Sequence, residues 1–388
     1  MATLSRDLER GSYEAVLLRT LRESGPASRT RIGEITGLSA ATISKAVSAM
    51  VDKGLLREGA VAEPRMGRPA VTLVPAPEAV TVCGVQIEYG TIRLGLTDAE
   101  SRIRTLRTAP FDVTAPPSEV LDLVATEVRR LVDADTGAPC VGVAVGIPGA
   151  VDENRRINRL TINLGWRDVP VAEHLERLLG VPVVVDHHVR LMALAEARLD
   201  DRVRSGIAYL YVRRGVGLGV APAGRGRYAV GPAGEAYLGH TRVVEDGELC
   251  RCGARGCLET VVAEPYLRAR LERAGHADVL RADRPVLEGL RRLAAQGDPA
   301  AVEIETDVVR NLAGALATVV NLFTPDLVLV GGMVAEAPEA TITRMRELIR
   351  ERIFPLLRED FRLEPAHRSE EASVRGAATL ALEVSHFS

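Results

Sequence analysis

Apolar residues fall at helical spacing over the first fifty positions, and at alternating strand and helix spacing beyond. From Glu14 to Arg22, Val16, Leu17 and Leu21 share one face of a predicted helix. Gly25-Pro26 ends it. Ser28 can cap a second, short helix through Ile35, and Ser39 can cap a third that runs to about Lys53. In the third helix Ile43, Val47 and Met50 form the buried stripe, while Thr42, Ser44, Lys45 and Ser48 point elsewhere. Two short helices joined by the tight turn Gly37-Leu38-Ser39 make a helix-turn-helix. The stretch Gly54 to Glu58 leads into EPRMGRPAVTLVP, which reads as a two-stranded wing with Arg65, Gly67, Arg68 and Pro69 at its tip.

Pro75-Ala76-Pro77 reads as a linker. After it, Thr81–Ile87 and Thr91–Thr97 predict a hairpin and Pro117–Val132 a helix. Val141–Ile147 predicts a buried strand ending in Pro148-Gly149. A helix over Val169–Leu179, a strand over Val181–Val185 and a helix over Val189–Leu199 follow. Then come a strand over Ile207–Arg213, a long helix over Ala300–Asn321 and a strand over Leu327–Val330. The turn Gly331-Gly332, a helix from Thr341 to Arg350 and an amphipathic stretch over Val374–Glu383 close the chain. Such alternation describes an α/β sheet layered with helices.

At 388 residues the chain is long enough for two or three domains, and with 46% apolar and 26% charged residues it can bury a large core. No apolar run approaches the ~20 residues a membrane helix needs. The opening MATLSRDLERGSYEAV is charged and lacks the apolar centre of a signal peptide, which predicts a cytoplasmic protein with reduced thiols. Charge is unevenly spread. Residues 1–75 hold 11 Lys/Arg and 8 Asp/Glu, a balance of +3, so the remainder carries −6 of the net −3. A basic segment on an acidic body fits a nucleic-acid module joined to something else. Short polar side chains at Ser39, Thr42 and Ser44 can approach base edges, and Lys45 suits a phosphate. Arg65 and Arg68, beside Gly and Pro, can enter a narrow A·T-rich minor groove. A three-helix protein-interaction module is the alternative for this segment.

Between Gly231 and Glu259 lie His240, Cys250, Cys252 and Cys257, with gaps of 10, 2 and 5. One imidazole and three thiolates complete a tetrahedral set for Zn²⁺, with no position left for water, which predicts a structural site. Three unrelated buried thiols and a surface histidine would be the alternative. Cys83 and Cys140 lie in strand-like apolar runs and read as core.

The run Cys250-x-Cys-Gly-x-x-Gly-Cys-Leu-Glu259, preceded by Gly239-His240, resembles the zinc signature of the ROK family of bacterial sugar-responsive repressors and sugar kinases. VGIPGAVDENRRI with Asn163 to Trp166, DHHVRLMALAE (Asp186 to Glu196) and VLVGGMV (Val328 to Val334) match further family segments, so the resemblance covers the body. It implies a winged helix-turn-helix over 1–75, followed by two actin-like, ribonuclease-H-like lobes. The first lobe would span 76–190 with the C-terminal helix 372–388 returning to it. The second would span 191–371 and carry the zinc. A ligand cleft would lie between them, lined by Asn163, His187, His188, Tyr237, His240 and Glu259. The acidic residue of the family's Gly-Glu-x-Gly-His falls on Tyr237, or on Glu235 if a residue is deleted.

The family's kinases carry Asp-x-Gly-Gly-Thr at the first hairpin. Here that place reads Gln86-Ile87-Glu88-Tyr89-Gly90, and the catalytic aspartate falls on His188. Both the base and the phosphate loop are altered, so phosphoryl transfer is not expected. His187 and His188 are expected on opposite faces of a strand, which argues against a second metal there. The expected function is a DNA-binding transcriptional regulator, dimeric or tetrameric, on a pseudo-palindromic, A·T-containing operator. A small-molecule effector, a sugar or another kind, would act through the cleft. A sugar kinase, or a scaffold with a decayed cleft, are the alternatives.

Overall fold

The computed structural model describes residues 13–61, 71–135, 137–199, 203, 206–222, 236–277, 285–366 and 369–386. The head begins with helices Tyr13–Ser24, Arg29–Thr36 and Ala40–Asp52. Their starts follow local chemistry. Ser28 accepts the N–H of Arg31, and Ser39 accepts that of Thr42. Gly37 closes the second helix at φ +73°, the left-handed geometry that glycine adopts without strain. Ile43, Val47 and Met50 are buried as the periodicity predicts. Strands Leu56–Val61 and Val71–Pro75 pair antiparallel, and Ala27–Ser28 adds to the edge. The wing tip, with Arg65 and Arg68, lies outside the described residues.

Two sheets form the body. The first orders its strands Val183–His187, Cys140–Ile147, Thr81–Glu88, Thr91–Thr97 and Ile103–Pro110. The first three run parallel and the last two antiparallel. The second orders Val216–Pro222, Gly206–Val212, Leu327–Gly332 and Arg362–Pro365. Numbered along the chain, the first sheet reads 3-2-1-4-5 from its Ile103–Pro110 edge, and the second reads 2-1-3-4 from its Val216–Pro222 edge. The second order is the first without its outer edge strand, so the lobes repeat one topology, as the two-lobe expectation requires. A small sheet of Ala150–Val151, Asn158–Thr161 and Trp166–Val169 leans beside the first.

The C-terminal helix Ser369–Ser385 packs on the first sheet, although the strand just before it, Arg362–Pro365, belongs to the second. Glycine makes the approach possible. A Cβ on Gly84 would lie 2.0 Å from the Val374 carbonyl oxygen. The helix His188–Leu199 crosses this C-terminal helix, with Gly376 against the Leu191 carbonyl. Leu191, Ala377, Leu380 and Ala381 share one continuous apolar cluster with Leu17, Leu21, Ile32, Met50 and Leu73 of the head. Head and body are thus joined by a core, in addition to the linker.

Two expectations need correction here. The helix expected over Val169–Leu179 is a strand ending at Val169 and a helix starting at Val171, because Pro170 interrupts the ladder. His187 ends a strand, but His188 opens a helix, so strand alternation does not separate their side chains.

Candidate functional site

A cavity of about 620 Å³ opens between the lobes. Its first-lobe wall comes from the hairpin Glu88–Thr91, the Pro148-Gly149 turn, the segment Leu160–Leu164 and the His187-His188 junction. Gly149 adopts φ +84° with the Leu160 carbonyl 2.0 Å from any Cβ built there, so only glycine fits this turn. Asn163 sits in a single 3₁₀ turn closed by Gly165. The second-lobe wall comes from Tyr211 to Gly217, the Ala236–Tyr237 segment, His240, Cys252, Glu259 and Glu264.

All of the expected effector residues, Asn163, His187, His188, Tyr237, His240 and Glu259, line this one cavity. Tyr237 is the most open, at 55% exposure. Glu235 lies outside the described residues. His187 and His188 are 9% and 7% exposed, with ring centroids 4.9 Å apart, and both face the cavity. Nδ1 of each has no hydrogen-bond partner. Burial holds His187 well below the ordinary imidazole value, and burial also lowers His188 against the pull of Glu88. Both rings are therefore neutral near pH 7.

Glu88 is not a bare charge. Arg93 pairs with it at 2.7 Å, and the Tyr211 hydroxyl donates to its Oε1 at 2.7 Å across the cleft. Burial would raise its pKa, but the Tyr211 hydrogen bond and the nearby His188 and Arg93 outweigh burial, leaving the carboxyl below its usual range. Two more contacts span the lobes. The Arg214 guanidinium lies 3.8 Å from the Tyr89 ring centroid, and Arg251 Nη1 donates to Asn163 Oδ1 at 2.7 Å. The pattern of strand and glycine spacing carries no signal for Tyr211, Arg213, Arg214 or Arg251. Only the doubled arginine before Gly215, at the end of a buried strand, could have drawn notice.

Beside the cavity, His240, Cys250, Cys252 and Cys257 place one ligand atom each within 4.8 Å of one another. His240 Nδ1 lies 3.6 Å from Cys250 Sγ, and Cys252 Sγ 3.7 Å from Cys257 Sγ. A Cβ on Gly256 would lie 1.7 Å from the Val244 carbonyl oxygen, so the knuckle needs glycine to fold this tightly. Burial pushes the Cys257 thiol up to about 12. Three thiols beside an imidazole become thiolates when a divalent cation supplies the charge. The donor set fits Zn²⁺ in a closed structural site. Glu259 lies one side chain away, its Oε1 3.9 Å from Cys250 Sγ and its Oε2 accepting the Val216 N–H at 3.1 Å. Burial raises its pKa.

On the head, Ser39, Ser44 and Lys45 are exposed at the start of the third helix, and Thr42 is half-buried. The hydroxyls of Ser39 and Thr42 also bond each other at 2.9 Å.

The sequence profile of the ROK family matches residues 82–384. The chain belongs to the ROK family. The DNA-binding transcriptional repressor Mlc of Escherichia coli is 27% identical, over 93% of this chain and 90% of that protein. The xylose repressor of Bacillus spizizenii is 24% identical over 96% and 95%. Among solved structures, a ROK family transcriptional regulator homologous to E. coli Mlc superposes with TM-score 0.77 at 25% identity, covering 94% of each chain. A ROK family glucokinase from Streptomyces griseus, solved with glucose and AMPPNP, gives TM-score 0.64 at 28% identity. It covers 78% of this chain but 99% of its own. The regulators match nearly end to end, whereas the kinase leaves about a fifth of this chain without a counterpart. Among the described residues, no helix is long and apolar enough to cross a membrane.

Proposed function

We propose that this chain is a zinc-stabilised, cytoplasmic transcriptional repressor that senses a small molecule in the inter-lobe cavity and lacks kinase activity. The division at residues 75 and 190, with the final helix belonging to the first lobe, is part of this reading. The head would bind a pseudo-palindromic, A·T-containing operator as a homodimer or homotetramer. Ser39, Thr42, Ser44 and Lys45 would address the major groove, and Arg65 and Arg68 the minor groove. Mlc and the xylose repressor, so named, support this reading.

The observation that carries the proposal is the shared apolar cluster. The helix that begins at His188, on the cavity wall, packs Leu191 into the same core as Leu17, Leu21 and Met50 of the head. A ligand that prefers one arrangement of the lobes would shift that helix and bias the spacing of paired heads. Catalysis is disfavoured by two features of the same wall. The position of the family's catalytic aspartate carries the imidazole of His188, whose burial disfavours the positive charge it would gain by accepting a proton. The hairpin that would hold phosphates carries the Glu88 carboxylate and the Tyr89 ring.

A mobility-shift titration with the chain's own upstream DNA, with and without candidate sugars, tests the regulator. Nanomolar, effector-dependent retardation is the expected result. A coupled assay that detects ADP release with glucose or xylose would instead establish the kinase.

A further inference from the structure

We propose that the cavity binds an anionic ligand, a polyol bearing a phosphate or carboxylate group, and that Arg214 receives the negative charge. The proposal rests on reading the cavity as an effector site and names the chemical class of its occupant.

The charges around the cavity are not equally available. Glu88 is held by Arg93 at 2.7 Å and by the Tyr211 hydroxyl. Glu264 is held by Arg268 at 3.0 Å. Glu259 turns toward the Val216 N–H and the thiol of Cys250. His187 and His188 are neutral, their charge suppressed by burial. Arg214 has no carboxylate partner among the described residues. Its guanidinium carbon lies 3.8 Å from the Tyr89 ring centroid, and its Nε is buried without a hydrogen bond. The ring contact holds the guanidinium at the cavity wall, where a planar or tetrahedral anion can meet its donors. An unpaired guanidinium with a buried, unsatisfied donor at the rim of a cavity is costly unless something answers it.

A second observation points into the same space. His187 and His188 are both more than nine-tenths buried, both line the cavity, and Nδ1 of each is unpartnered. Two neutral imidazoles suit hydroxyl groups, as donor or acceptor according to tautomer. Hydroxyls at the histidines and an anion at Arg214 together describe an acidic polyol. With both rings neutral, Arg214 is the cation on this wall that no carboxylate holds among the described residues.

The test is calorimetry on the full-length, zinc-loaded protein with D-glucose, D-glucose 6-phosphate and D-glucuronate. One of the two anions should bind at least ~10-fold tighter than glucose, and the stronger arm identifies phosphate or carboxylate as the source. Arg214→Gln should remove that preference, lowering anion affinity ~10-fold with glucose unchanged, while Arg214→Lys restores part of it. The proposal is overturned if glucose binds as well as both anions, if Arg214→Gln leaves anion binding intact, or if none of the three probes titrates. A mobility-shift assay on the same preparation keeps the outcomes separate. Operator binding without anion preference removes this inference alone, and loss of operator binding removes the regulator reading.

Discussion

The two walls of the cavity are built on different plans. The second-lobe wall is organised by a four-donor cluster contained in eighteen residues, His240 to Cys257, and folded tightly through Gly256. The first-lobe wall has no such centre. Its polar groups are also held from the other lobe: Tyr211 reaches Glu88 across 123 positions, and Arg251 reaches Asn163 across 88. A coordination site holds its shape wherever its short segment goes. A network of single hydrogen bonds across two lobes exists only when the lobes are closed on each other. The first kind of wall suits a permanent brace, and the second suits a surface whose arrangement a ligand can change.

Separating the walls by mutation is the most direct way to challenge that contrast. The largest effect is expected at the brace. Cys250→Ala should take bound metal from one ion per chain to none by atomic absorption, and destabilise the second lobe by several kcal/mol, a fraction of the ~10 kcal/mol apparent affinity of structural zinc sites. Retention of one ion per chain would refute the ligand assignment. A smaller loss is expected across the cleft. Tyr211→Phe removes a donor to a buried carboxylate, at a cost of about 2 kcal/mol in denaturant unfolding, with metal content unchanged. An unaltered midpoint would mean that the lobes do not depend on this contact.

Beyond either wall, Lys45→Ala and Arg68→Ala should each weaken operator binding by about 1 kcal/mol without changing thermal stability. Equal retardation by wild type and both variants would remove the head from the DNA. The smallest effect is a slope. His187 and His188 have folded-state pKa values below 6.5, so the unfolded chain binds more protons just below that value. Their contribution is full above pH 6.5 and is lost as pH falls toward the depressed values. Glu88, also lowered, acts in a more acid window. Its contribution is present above the ordinary value of 4.5 and lost as pH falls through the folded value. A His187→Asn/His188→Asn double variant should flatten the first limb of a stability–pH curve and leave the second. A curve with both limbs unchanged would show that the rings do not titrate on unfolding as buried groups do.

Local rules carried much of this protein. Helix caps at Ser28 and Ser39, the stripe of Ile43, Val47 and Met50, and the grouping of His240 with three cysteines all depend on residues a few positions apart, so their spacing alone determined them. The resemblance carried by the cysteine knuckle extended that reading to two lobes and a cavity, and the six expected effector residues do converge. What spacing could not supply was orientation at a junction. The expectation that His187 and His188 diverge used the rule for strands, and the chain changes from strand to helix between them. Nor could spacing show that Arg214 would lie on Tyr89 or that Leu191 would join the core of the head. Those contacts join segments more than a hundred residues apart, and only the packing of sheet, helix and head decides which distant side chains meet.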